Sequence, residues 1–247
     1  MNSYKCVVAY EGTRYNGWQK QRNTDNTIQG KIEHTISKLL DEEIEITASG
    51  RTDAGVHATG QVFHFHCRQI LTTDKFLAEM NQYLPKDIRI LSCEVCDLRF
   101  HARLNATEKT YRYYIDTSAY GNLFLRNTAH HIPTPLDIDA MKKGTEYLLG
   151  THDFISFCSN KKFKKSSVRT IYEIHLRYEP EKELLTMDYT GNGFLYNMVR
   201  ILTGTLIEIG LGLRKPEDIP SIIEGKNRGL AGHTAPAKGL FLISVKY

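Results

Sequence analysis

The chain has 247 residues, 41% hydrophobic and 24% charged, with a formal net charge of +4. This is the make-up of a soluble globular protein of one large or two smaller domains, and the mild basicity suits a polyanionic partner without demanding one. No run approaches the ~20 apolar residues of a membrane span, and Met1-Asn2-Ser3-Tyr4-Lys5 lacks the basic and apolar blocks of a secretion signal, so a cytoplasmic protein without a membrane partner is expected.

Apolar alternation predicts a first strand from Tyr4 to Tyr10. A helix follows over Thr27 to Leu40, with Ile28, Ile32, Ile36, Leu39 and Leu40 on one side. Strands Ile44 to Ser49 and Gln61 to Cys67, a helix Thr73 to Leu84 and a strand Ile88 to Cys96 complete a β-α-β-β-α-β order. After a linker, Asp97 to Glu108, come a strand Lys109 to Asp116, a helix Leu136 to Leu149, and strands Val168 to Tyr178 and Leu184 to Tyr189. A helix Phe194 to Ile209, a short helix from Pro216 and a strand Leu240 to Lys246 repeat the same order with one helix added. The expected fold is α+β: two ferredoxin-like (RRM-like) β-α-β-β-α-β domains, 1–105 and 106–247, whose antiparallel sheets flank a central cleft.

The five cysteines, Cys6, Cys67, Cys93, Cys96 and Cys158, form an odd, scattered set rather than a disulfide framework. Cys93 and Cys96 have metal-ligand spacing, and His64, His66 and Cys67 lie close in sequence. In a strand, however, His64 and His66 share one face while Cys67 takes the other, and the Cys93 pair lies in the apolar alternation Ile90, Leu91, Val95. No metal site and no cofactor are expected.

The most informative stretch is Gly50-Arg51-Thr52-Asp53-Ala54-Gly55-Val56-His57-Ala58, between two apolar alternations. It reads as a turn between strands, a place where reactive groups are displayed. Gly50 and Gly55 allow close approach of a flat ligand, and a guanidinium at Arg51 would keep the Asp53 carboxylate ionised. Taken alone, Arg51 and Asp53 also fit an ordinary turn ion pair.

The nine residues continue into Thr59-Gly60-Gln61-Val62, and other segments accompany them in order: Tyr10-Glu11-Gly12-Thr13, Tyr15-Asn16-Gly17-Trp18-Gln19, Thr27-Ile28-Gln29-Gly30, Phe100-His101-Ala102-Arg103 and Tyr111-Arg112-Tyr113-Tyr114. Gly150-Thr151-His152-Asp153-Phe154, Gly191-Asn192-Gly193-Phe194-Leu195, Asn197-Met198-Val199-Arg200 and Gly232-His233-Thr234-Ala235-Pro236-Ala237-Lys238-Gly239-Leu240 follow. This set, spread over essentially the whole chain, resembles the TruA-type tRNA pseudouridine synthases. Ile201 stands where many relatives have asparagine.

The resemblance implies isomerisation of uridine to pseudouridine in tRNA, within the anticodon stem-loop, by a homodimer whose active site lies in a positively charged cleft. It implies Asp53 as the catalytic nucleophile or base, the first domain carrying its loop and the second completing the site. The roles open to Asp53 are attack at C1′, attack at C6, or removal of a sugar proton. Arg51 is expected to hold Asp53 charged and to fill the space a flipped base leaves, and Arg200 to pair with Asp53 or a phosphate. Tyr111 is expected to stack on the target uracil, with Tyr113 as its substitute in the other strand register, and Phe194 to bind substrate beside them.

Two basic groups are read as RNA contacts: Arg14, with Lys20 and Arg22, and the run Lys161, Lys162, Lys164, Lys165 with Arg169. His57, His101 and His152 fit structural hydrogen-bonding roles. Three other readings are weighed: the same chemistry on another RNA such as ribosomal RNA, an RNA-binding module without catalysis, and a metal-dependent hydrolase built on Asp53 with His64 and His66.

Overall fold

A computed structural model describes residues 1–160 and 166–247; the expected phosphate contacts Lys161, Lys162, Lys164 and Lys165 lie outside the described residues. The chain forms two compact units, Met1–Thr107 with Phe241–Tyr247, and Glu108–Leu240. Both mix helices with mostly antiparallel strands, an α+β arrangement.

In the first unit β1 (Asn2–Tyr10), α1 (Ile28–Leu40), β2 (Ile46–Ala48), β3 (His57–Cys67), α2 (Thr73–Tyr83) and β4 (Ile88–Val95) follow one another. The sheet order is β4-β1-β3-β2, every pair antiparallel. Strand alternation puts Tyr4, Cys6, Val8 and Tyr10 on the buried face. Against them α1 turns Ile28, Ile32 and Ile36, spaced four residues apart and all buried. Thr27 caps that helix, its hydroxyl accepting from the Gly30 N–H at 3.2 Å, and Asp41 ends it in the left-handed region at φ 48°.

The second unit contains β5 (Glu108–Asp116), β6 (His130–His131), α3 (Ile138–Glu146), β7 (Gly150–Asp153), β8 (Val168–Glu179), β9 (Leu184–Gly191), α4 (Met198–Gly210) and α5 (Asp218–Glu224). Its strands run β5-β9-β8-β7, antiparallel, with β6 alongside β5. Helix α4 is buried on nearly every side, which fits its run of apolar and small residues.

The structure departs from the sequence expectation at four places. Strand β3 begins at His57 rather than Gln61, because Tyr10 of β1 pairs with Ala58 and extends the ladder. The helix expected from Leu136 to Leu149 stops at Glu146, and Gly150, at φ 92°, turns the chain into β7, which pairs with β8. The helix expected from Phe194 starts four residues later, at Met198, because Gly193 (φ 154°) and Asn197 (φ 61°) lie outside helical geometry. Finally, the last strand, β10 (Leu240–Lys246), does not stay with the second half as expected; its Phe241 and Leu242 pair parallel to His57 and Ala58 of β3.

Candidate active site

The loop from Ser49 to Val56 joins β2 to β3 and is fastened along its length. At its start the buried Gln61 side chain accepts from the Ser49 hydroxyl at 2.6 Å and donates to the Gly50 carbonyl at 3.0 Å. At its centre Thr52 turns inward: its hydroxyl lies 2.7 Å from the Tyr10 hydroxyl, and its carbonyl accepts from the Trp18 N–H at 3.0 Å. At its end the Val56 N–H closes a turn onto the Asp53 carbonyl at 3.1 Å, Gly55 having φ 77°.

The segment between β1 and α1 lies against this loop so closely that side chains are excluded. A Cβ on Gly12 would sit 2.0 Å from the Val56 carbonyl oxygen. Gly17, at φ 86°, approaches the Thr52 carbonyl in the same way. Trp18 is buried between the rings of Tyr10 and Phe63, and its carbonyl accepts from the Gln29 N–H in the first turn of α1. His57 is wholly buried; its Nδ1 accepts from the Gly12 N–H at 3.0 Å and its ring stacks on Phe241 at 4.4 Å. It is therefore a structural residue, as expected. So is His101, whose Nδ1 accepts from the N–H groups of Arg103 and Leu104, and so is His152, whose Nε2 meets the Leu149 carbonyl at 2.8 Å.

Alternation along the loop separates its members. Thr52 is buried, Asp53 half-buried and Arg51 exposed. The expected Arg51–Asp53 ion pair is not formed: Arg51 is exposed, with no hydrogen bond or salt bridge among the described residues. Arg14 has a largely exposed guanidinium 3.0 Å from Asp87 Oδ2, and the Tyr15 hydroxyl donates to the other oxygen of the same carboxylate. Burial, followed by that carboxylate, pushes the Tyr15 hydroxyl well above the ordinary phenol range. Lys20 pairs with the buried Glu33 carboxylate at 3.2 Å.

The remaining candidates belong to the second unit. Tyr111, half-buried on β5, meets Phe194 edge-on, with ring centroids 5.3 Å apart. Arg112, on the other face, holds Asp188 bidentately at 2.6 and 2.7 Å, and the Asp188 carboxylate raises its pKa beyond the usual guanidinium value. Tyr113 is fully buried, and its hydroxyl donates to the Pro236 carbonyl at 2.8 Å. Burial drives its pKa far upward, and a Cβ on Gly239 would touch its ring at 2.6 Å. Tyr113 is thus a core residue and is withdrawn as a substitute for Tyr111.

Arg200, in the first turn of α4, donates from Nε to the Ala235 carbonyl at 2.7 Å and from Nη1 to Asn197 Oδ1 at 2.9 Å. The Ala235 N–H donates back to the Arg200 carbonyl at 3.0 Å, so the arginine is tied to the segment before β10. Arg169 lies beside Gly193, its Nη1 on the Ser166 and Val168 carbonyls, and burial lowers its pKa. Tyr10, Thr52 and Trp18 stand in the quoted segments but carry no role of their own there; the one individual signal is Trp18, the sole tryptophan, within an apolar-poor segment. His64 and His66, weighed as metal ligands, have ring centroids 5.4 Å apart, and His64 Nδ1 already accepts from the Ala102 N–H.

Known proteins share this chain's pattern over its whole length. The family model described as tRNA pseudouridine synthase matches residues 6–105 and 145–247. The chain is 43% identical over 247 residues to a tRNA pseudouridine synthase A of Acetivibrio thermocellus, 45% to one of Caldicellulosiruptor bescii and 44% to a tRNA pseudouridine synthase A 2 of Bacillus cereus, each alignment covering 100% of both chains. Among solved structures, a chain titled as part of a Cbf5-Nop10-Gar1 complex is similar over 97% of this chain and 48% of that one, but only at 14% identity and TM-score 0.40. Both the match across two long segments and the full-length identity say that this chain belongs to the tRNA pseudouridine synthase family.

Proposed function

We propose that the chain isomerises uridine to pseudouridine in the anticodon stem-loop of tRNA, with Asp53 as nucleophile or base. The observation that carries this is the loop Gly50 to Ala58: its Asp53 is half-buried between a buried Thr52 and a closed turn, in a chain that the family model matches over residues 6–105 and 145–247. The N1–C1′ bond breaks, the detached uracil turns while bound, and C5 joins C1′. C5 gives up a proton and N1 takes one, so the step balances without redox chemistry or a phosphate donor.

Tyr111, braced by Phe194, is assigned to stack on the uracil, and Arg200 to meet Asp53 or a phosphate. Arg51, exposed on the loop, is assigned to the space a flipped base leaves; extrusion costs a few kcal/mol that such contacts offset. Arg14, Lys161, Lys162, Lys164 and Lys165 are assigned to the RNA backbone. The β4-β1-β3-β2 order supports a ferredoxin-like first domain, with the second half of the chain as its counterpart. The tRNA reading goes with a cytoplasmic homodimer, and no helix among the described residues is long and apolar enough to cross a membrane.

The test is carbodiimide mapping of pseudouridine in total RNA from cells with and without the gene, rescued by wild-type or Asp53→Asn copies. Anticodon-arm marks restored by the first alone support the whole reading. Marks lost from ribosomal RNA instead would overturn the target, and unchanged marks would overturn the reaction.

A further inference from the structure

The residue before Asp53 is fixed by two groups from outside the loop. This residue, Thr52, is held by both ends: side-chain oxygen to Tyr10, main-chain oxygen to Trp18. Tyr10 and Thr52 are 4% and 6% exposed, so water does not compete for the bond between their hydroxyls. Tyr10 is the last residue of β1, and the β1–β3 register is irregular between Val8, opposite Gln61, and Tyr10, opposite Ala58. Such an irregularity re-aims a side chain and is common beside active sites. Here it falls next to Tyr10, the last pair of the ladder, whose hydroxyl reaches across to the loop. The Tyr10 ring is itself braced by Trp18 at 5.8 Å between centroids.

We propose that Tyr10 and Thr52 form a positioning pair for the reaction: their mutual hydrogen bond fixes the backbone of the Asp53 loop and so aims the Asp53 carboxylate. The proposal rests on the catalytic reading of Asp53. Neither residue touches substrate in this scheme, and neither changes the charge of the site. The device explains why a buried threonine precedes the aspartate: it offers a hydroxyl inward while its carbonyl receives the Trp18 N–H. A misplacement of about 1 Å at a reacting group is enough to cost ~100-fold in rate, so a small relaxation of this loop is visible in turnover.

The test is single-turnover pseudouridine formation on a tRNA transcript, with tRNA affinity and melting temperature measured on the same preparations. Tyr10→Phe keeps the ring, Thr52→Val keeps the shape and Thr52→Ser keeps the hydroxyl. Tyr10→Phe and Thr52→Val are each expected to slow the step about tenfold with affinity unchanged within about twofold, the size of one buried hydrogen bond felt in the transition state alone. The double variant should fall no further than the singles, and Thr52→Ser should recover most of the rate. Near-wild-type rates in folded Tyr10→Phe, an affinity loss in step with the rate loss, or multiplying effects in the double variant would overturn the pair. If Tyr10→Phe does not fold, the Thr52→Ser against Thr52→Val comparison decides alone. Asp53→Asn is run alongside: turnover surviving it sinks the site assignment, whereas a dead Asp53→Asn with an unaffected Tyr10→Phe sinks only the positioning role.

Discussion

The Gly12 backbone N–H donates to Nδ1 of His57, which makes that nitrogen an acceptor and leaves the ring proton on Nε2. The bond joins the segment after β1 to the first residue of β3, and it forms only because Gly12 has no side chain to strike the Val56 carbonyl. Gly12→Ala is therefore expected to destabilise the protein by about 2 kcal/mol or more, the clash being with backbone rather than a movable side chain. Denaturant melts of the two proteins check this, and an unchanged midpoint would contradict it.

Asp53→Asn removes the charge while keeping the shape. It is expected to abolish turnover and leave tRNA affinity within about twofold, as for an interaction made only in the transition state. Residual activity within about tenfold of wild type would remove Asp53 from its assigned role.

Tyr111 meets Phe194 edge-on, so its ring is braced independently of its hydroxyl. Tyr111→Phe should retain more activity than Tyr111→Leu, because base stacking, worth roughly 1 to 3 kcal/mol, survives the first change and not the second. The opposite ranking would make the hydroxyl the working group.

Stability should fall as the solution is acidified, and His64 is one cause. Burial, with His101 and His66 close by, lowers its pKa to about 4. The unfolded chain takes up that proton near pH 6.5 while the folded chain does not. The contribution is thus present above about pH 6.5, erodes as pH falls and is gone below about pH 4, of order 1 to 3 kcal/mol. His64→Gln should flatten the dependence of melting temperature on pH across that window; an identical slope would assign the effect elsewhere, His130 being similarly lowered to about 4.

Replacing Lys161, Lys162, Lys164 and Lys165 together by alanine should weaken tRNA binding and make it less sensitive to salt. The log–log slope should fall by about 0.7 to 0.9 for every phosphate no longer neutralised. Equal slopes would make the run a bystander.

Much of the fold was legible because it is periodic. Alternation of Tyr4, Cys6, Val8 and Tyr10 and the four-residue spacing of Ile28, Ile32 and Ile36 each specify one buried face. The misplaced boundaries are those set by single backbone angles, such as the left-handed Asn197 that delays α4, or by distant partners, such as the β1 pairing that starts β3 early. The assignments of Asp53, Tyr111 and Arg200 come from motif alone. The inward turn of Thr52, which leaves Arg51 facing outward, could not be read from the sequence, because its partner Tyr10 is 42 residues away. Nor could the burial of Tyr113, whose hydroxyl is taken by the carbonyl of Pro236, 123 residues on.

Strand β10 adds a temporal constraint. Its backbone covers the edge of β3 at His57 and Ala58, and the Thr59 hydroxyl reaches the Ile243 carbonyl across a sequence separation of 184. During vectorial synthesis the far side of the Asp53 loop stays a raw strand edge for all that length, an invitation to wrong partners. On the ribosome, the edge of β3 beside that loop stays uncovered until those late residues arrive.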